Sequence, residues 1–204
     1  MRFDPDKHHR RSVRLLGYDY SNAGAYFVTI CAHRKTCLLG HVHEGAVVLN
    51  RTGHIVKKCW ESLPIWFPHV QLDASVIMPN HTHGILWITG RGEALASEDL
   101  IYCEPNDVSH EQKAFLETVA NASPLQHACG TTPGSLASVI QTFKTNCTRR
   151  VNRVHKCSGK QLWQRNYYEH IIRSQKSLEA IREYIESNPA NWPLDSDNPD
   201  KPRF

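Results

Sequence analysis

Hydrophobic positions recur along this chain with two different periods. In "GAYFVTICAHRK", Tyr26, Val28 and Ile30 alternate with Phe27, Thr29 and Cys31 as the two faces of a strand do, which predicts a central strand. After a short turn "GAVVLN" predicts a partner strand. Asn50 then stands where an N-cap would open a helix over "RTGHIVKKCWESLPIWF", in which Ile55, Cys59, Trp60 and Leu63 fall near helical spacing. "QLDASVIM" and "HGILWIT" predict two further strands, joined or interrupted at Pro79 and Asn80, where proline's missing donor suits a turn or strand end. His81, Thr82 and His83 therefore start a strand.

From 90 to 133 the periodicity fades. Pro105, Pro124, Gly130 and Pro133 punctuate a polar stretch with one short helix, "HEQKAFLETVA", and the segment reads as an insertion. Ser135 then caps a long helix with Leu136, Val139, Ile140, Phe143, Cys147 and Val151 on one side and Lys144, Arg149, Arg150 and Arg153 around the rest. "LWQRNYYEHIIR" is strand-like. The last helix starts near Ser174 and is expected to stop by Pro189. The tail, 193–204, is expected to be disordered. This order of elements predicts one α+β domain, 25–192, whose mostly antiparallel sheet packs with helices, preceded by a basic arm at 1–24 and carrying the insertion at 90–133.

Composition narrows the picture. With 204 residues, 40% hydrophobic and 22% charged, the chain is neither fibrous nor intrinsically disordered. The net charge of +4 hides an asymmetry: 90–133 holds seven acidic residues against Arg91 and Lys113, whereas 135–165 holds seven Lys or Arg and no acid. Seven cysteines, never spaced C-x-x-C, read as free thiols of a reducing compartment. No run approaches the ~18 apolar residues of a membrane span, and "MRFDPDKHHRRSVR" has no apolar leader core, so a cytoplasmic protein without membrane contact is expected.

Residues i and i+2 of a strand share a face, so His81 and His83 present two nitrogen ligands side by side. Two surface or hydrogen-bonded histidines would give the same pattern, and His41 and His43 form a second such pair among thirteen histidines. A divalent cation would need a third ligand. Tyr184 and Asn188, four apart on the last helix, share a face and could supply a nucleophile and a ligand. With a pKa of ~10 a tyrosine attacks at neutral pH only with help from a metal or base. Tyr184 beside Ile181 and Ile185 is equally a core tyrosine, and Asn188 before Pro189 equally a helix C-cap. Tyr167 and Tyr168 compete for the nucleophile's role, although strand packing suits them as well. The acid-free run is either a solvated helix face or a surface for a polyanion held by Lys144, Arg149, Arg150, Arg153, Lys156 and Arg165, with Arg10, Arg11 and Arg14 of the arm adding backbone contacts.

The ordered set "RRSVRLLGYDYSNAGAYFVTICAHRK", "LDASVIMPNHTHGILWI", "SLASVIQTFKTNCTRRVN", "LWQRNYYEHIIRS" and "YIESNPANW" resembles the REP-associated tyrosine transposases, a branch of the single-tyrosine HUH transposases. The match runs over 10–192 and is weakest in the insertion. It implies a ferredoxin-like or RRM-like fold that binds single-stranded or hairpin, REP-like DNA as a monomer or homodimer. It also implies cleavage and rejoining through a 5′-phosphotyrosine, with bases beside the hairpin stacked on Trp163 or Tyr167. Carried over by position, Tyr184 is the nucleophile and His81, His83 and Asn188 the ligands of Mg²⁺ or Mn²⁺. Thr82 replaces the bulky apolar residue usual between the histidines, and Asn188 stands where Gln is frequent. Two other outcomes fit the same residues: a nucleic-acid-binding module that does not nick, and a metal-dependent phosphodiesterase that activates water.

Overall fold

The computed structural model describes residues 18–89, 132–195, 197–199 and 201, all within one compact unit. Arg10, Arg11 and Arg14, the helix expected within 110–120 and nearly all of the insertion lie outside the described residues. Strand β1 (Gly24–Cys31) is followed by a small hairpin of β2 (Gly40–His43) and β3 (Ala46–Leu49), helices α1 (Arg51–Glu61) and α2 (Leu63–Trp66), and strands β4 (Val70–Ile77) and β5 (His81–Ile88). Helix α3 (Leu136–Val154), strand β6 (Tyr168–Ile172) and helix α4 (Gln175–Asn191) complete the order.

The main sheet runs β4-β5-β1-β6 and is antiparallel throughout, with β1 central as its pattern predicts. Each face has its own core. Tyr26, Val28, Ile30 and Leu86 meet Val56 and Trp60 of α1 and Val139, Ile140 and Phe143 of α3. On the opposite face Ala25, Phe27, Ile85 and Ile172 meet Leu178 and Ile185 of α4. The three principal helices open on side-chain caps: Asn50 accepts from Gly53 N (3.0 Å), Ser135 from Ser138 N (3.4 Å) and Ser174 from Ser177 N (3.2 Å). Cys31, Cys37, Cys59, Cys147 and Cys157 are free thiols.

Several expectations change. "GAVVLN" pairs with β2, not with β1, because β5 and β6 already occupy both edges of β1. The first predicted helix breaks at Ser62 into α1 and α2, with Pro64 in the first turn of the second. Of "LWQRNYYEHIIR" only Tyr168–Ile172 is strand; Trp163 makes a single bridge to Ala32. Helix α4 does not stop at Pro189 but carries it and ends at Asn191, where Trp192 N–H donates to Pro189 O. The described part of the tail is not free chain. Lys35 is paired with Asp197, and Asn80 Nδ2 donates to Asp197 O at 2.6 Å.

Gly84 sets how closely α1 approaches the sheet. It faces the Trp60 ring, and a Cβ there would overlap that ring. Trp60 cannot move aside, since Phe143 packs edge-on against it at 5.4 Å. Gly84→Ala is therefore expected to lower stability by about 2–3 kcal/mol through overpacking. Urea unfolding checks this, and combining it with Trp60→Leu should cost less than the two single changes summed.

Candidate active site

The turn between β4 and β5 is tied at several points, and these ties aim the first imidazole. Asn80 Nδ2 donates to Lys35 O (3.0 Å) and Asp197 O (2.6 Å), which leaves its Oδ1 as an acceptor facing His81 Nδ1 at 2.7 Å. The proton of His81 therefore sits on Nδ1, and Nε2 carries a bare lone pair that is buried and has no partner. His83 is oriented the same way. Register places Thr29 opposite it, and Thr29 Oγ1 lies 2.8 Å from His83 Nδ1, leaving Nε2 for the opposite side. The two rings meet edge to face at 4.5 Å.

Helix α4 supplies that opposite side. Tyr184 Oη lies 3.3 Å from His83 Nε2, and one turn past Asn188 the ring of Trp192 lies 6.2 Å from His81. Asn188, between Tyr184 and Trp192 on the same face, is buried, and its Oδ1 has no partner. It is thus an inward-facing residue and not the helix C-cap, which is Trp192. The helix is held in this rotation by Asp73, which lies in the irregular stretch of β4 between Leu72 and Ser75. Asp73 accepts from Arg182 Nε (2.9 Å) and Nη2 (2.6 Å) and from Trp87 Nε1 (3.0 Å). The Arg182 hydrogen bonds hold its carboxyl down at about 2, so the clamp stays ionised.

The electrostatics suit ligation. Burial lowers His83 to about 3, with the nearby His81 adding in the same direction; burial also lowers His81. Both imidazoles are thus neutral at pH 7 with lone pairs available. Tyr184, 47% exposed, is raised by burial and then by Asp195, with the Asn188 amide acting the other way. Among the described residues no three His, Cys, Asp or Glu side chains converge as a metal site, and the Asn188 amide is the further buried acceptor on the facing helix. Two orphaned buried acceptors beside the oriented Nε2 of His83 fit a hard or borderline divalent cation such as Mg²⁺ or Mn²⁺. His41 and His43, by contrast, are exposed on the small hairpin.

The basic run divides by position. A groove of about 520 Å³ lies beside α3, lined by Lys144, Arg149, Asn152, Lys160, Gln164 and Arg165. Arg149, Lys160 and Arg165 are exposed there. Lys144 differs from its expected role: its ammonium donates to the carbonyls of Gln164 (2.9 Å), Arg165 (3.3 Å) and Asn166 (2.9 Å), which uses all three protons. Arg150 lies over the Trp66 ring, and the exposed Arg153 and Lys156 do not line the groove. Trp163 is buried and Tyr167 sits under Lys144, so neither expected stacking ring is open. Asn80, Thr29, Asp73 and Arg182 escaped the sequence reading because their roles come from partners distant in the chain. Lys160 could have been found, since it belongs to the same acid-free run.

Comparisons with known proteins bear on this arrangement. The family described as "Transposase IS200 like" matches residues 129–188, a span that includes Tyr184 and Asn188. A protein of Haemophilus influenzae, described as uncharacterized, is 38% identical over 188 residues, 92% of each chain. The structure of a REP-associated tyrosine transposase bound to a REP hairpin is similar with a TM-score of 0.51 and 18% identity, covering 87% of this chain and 73% of that one.

The buried imidazoles make stability depend on pH. His83 is held at about 3 when folded and titrates near 6.5 when unfolded, so between these values only the unfolded chain takes up the proton. Stability is expected to be insensitive to this group above pH 6.5 and to fall progressively toward pH 3. Urea midpoints measured across that range should decline less steeply for His83→Asn than for the parent.

Proposed function

Because this chain belongs to the IS200-like transposase family, we propose that it is a DNA strand transferase that nicks and rejoins single-stranded or hairpin DNA through Tyr184. The observation that carries the reading is the Tyr184 hydroxyl 3.3 Å from His83 Nε2, on the helix face that also presents buried Asn188. Tyr184 Oη loses its proton and forms a bond to phosphorus as the bond to the 3′-oxygen breaks and that oxygen takes up a proton. The products are a 5′-phosphotyrosine and a free 3′-hydroxyl, and a second 3′-hydroxyl can reverse the step without ATP. His81, His83 and Asn188 would hold Mg²⁺ or Mn²⁺, which when bound polarises a phosphoryl oxygen and offsets charge built up in displacement. Asn80 fixes the tautomer of His81, Thr29 orients the His83 ring, and Asp73 with Arg182 sets the rotation of the tyrosine helix. Tyr184 reaches His83 of its own chain, so the site is complete within one chain. Arg149, Lys160 and Arg165 provide the phosphate-facing surface.

Incubated with labelled single-stranded hairpins and Mn²⁺, the parent chain is expected to retain label on a denaturing gel, and Tyr184→Phe none. EDTA should abolish the adduct and leave hairpin binding. Binding with no adduct would instead favour a non-nicking module, and cleavage that survives Tyr184→Phe would favour water as the nucleophile. Separately, replacing Arg149, Lys160 and Arg165 together by Ala should flatten the dependence of log K on log salt by about 2, at roughly 0.7 per single-strand phosphate contact. Filter binding at several salt concentrations measures that slope.

A further inference from the structure

Tyr168 has no place in the chemistry above, yet it opens β6 on the side of the sheet that carries the active site. It pairs in register with Thr29, whose hydroxyl holds His83. Its ring meets Phe27 edge-on at 6.4 Å, and Phe27 in turn stacks on His83 at 5.5 Å and meets Tyr184 edge-on at 6.2 Å. Phe27 is thus a buried base flanked by two tyrosines, each 47% exposed. Two residues on, His170 is also exposed on this face. Tyr168 bonds to no described side chain that would account for leaving so much aromatic surface in water.

The path to Tyr168 begins in the basic groove. That groove lies on the α3 side of the sheet, and its wall at Gln164 and Arg165 is joined to Tyr168 by Asn166 and Tyr167. Lys144 fixes this connection through its three carbonyl bonds. Among the described residues β6 has no sheet partner on its outer side, so the edge between groove and active site is open. Tyr168 thus stands between the groove wall at Arg165 and Phe27, whose ring meets Tyr184.

We propose that Tyr168 is a stacking platform for a nucleobase next to the cleaved linkage, a subsite that holds the single strand in line with Tyr184. The inference rests on the strand-cleaving reading for its purpose but not for its detection. Stacking needs only the ring, so phenylalanine serves as well as tyrosine.

The test uses the full chain carrying Tyr184→Phe and a hairpin selected by binding from a library. The hairpin's single-stranded tail carries 2-aminopurine at one position at a time. Quenching is expected at one or two adjacent tail positions, lost in Tyr168→Ala and kept in Tyr168→Phe. In chains with Tyr184 intact, Tyr168→Ala should slow adduct formation roughly tenfold with hairpin affinity little changed, and Tyr168→Phe should restore it. Unchanged quenching and rate in Tyr168→Ala overturn the platform, and so does a Tyr168→Phe chain as defective as Tyr168→Ala. Quenching that depends on Tyr168 without any adduct overturns the strand-cleaving reading and keeps the platform. A chain that binds no single strand overturns both.

Discussion

The register of β5 against β1 is the constraint on which the site depends. Side chains alternate strictly along a strand, so the pairing of His83 with Thr29 and of Leu86 with Tyr26 assigns every residue of β5 to a face. His81 and His83 go to the α4 side, and Thr82, Gly84 and Leu86 to the core under α1 and α3. A slip of one residue would drive both imidazoles against Trp60 and turn Gly84, which has no side chain, toward α4. The aliphatic core and the glycine are therefore what hold the histidines at the site, and hydrophobic burial on one face fixes polar chemistry on the other.

The second requirement is the rotation of α4, and here apolar packing is not enough. Leu178, Ile181 and Ile185 seat the helix on the sheet, but such contacts tolerate sliding. The two-pronged bond from Arg182 to Asp73 does not, because a planar guanidinium meets a carboxylate in one geometry. Arg182 precedes Tyr184 by two residues, so the rotation it sets is passed directly to the phenol. Trp87, which donates to the same carboxylate, belongs to β5 and ties the clamp to the strand that carries the histidines.

What could be read from the sequence was what is local. Alternation revealed β1, short apolar runs broken at Pro79 and Asn80 marked β4 and β5, caps marked the helix starts, and spacings of two and four picked out His81 with His83 and Tyr184 with Asn188. That these two pairs meet, across 101 residues, is written in no periodicity; the want of a third ligand raised it and the ordered resemblance supported it. Pairing partners are non-local, which is why "GAVVLN" was given the wrong neighbour. Pro189 misled because the packing of Trp192 on His81 keeps the last turn helical against local preference. Charge misled at Lys144, since a lysine in a basic run looks the same in sequence whether it faces phosphate or three backbone carbonyls.

The atoms left without partners indicate what the site is built to receive. A buried polar group with no hydrogen bond costs about 1–3 kcal/mol, so such groups are seldom retained without use. Trp60 Nε1, Trp163 Nε1 and Thr82 Oγ1 are also unpartnered, but they belong to the opposite core, and two of them are donors. At the site both orphans, His81 Nε2 and Asn188 Oδ1, are lone pairs. Burial keeps His81 from acquiring a proton, and Asn80 keeps its one proton on the far nitrogen. What these two lone pairs lack is a hydrogen-bond donor or a cation. On the proposed reading a divalent cation would satisfy both lone pairs at once and would offset the charge of a phosphodiester beside Tyr184.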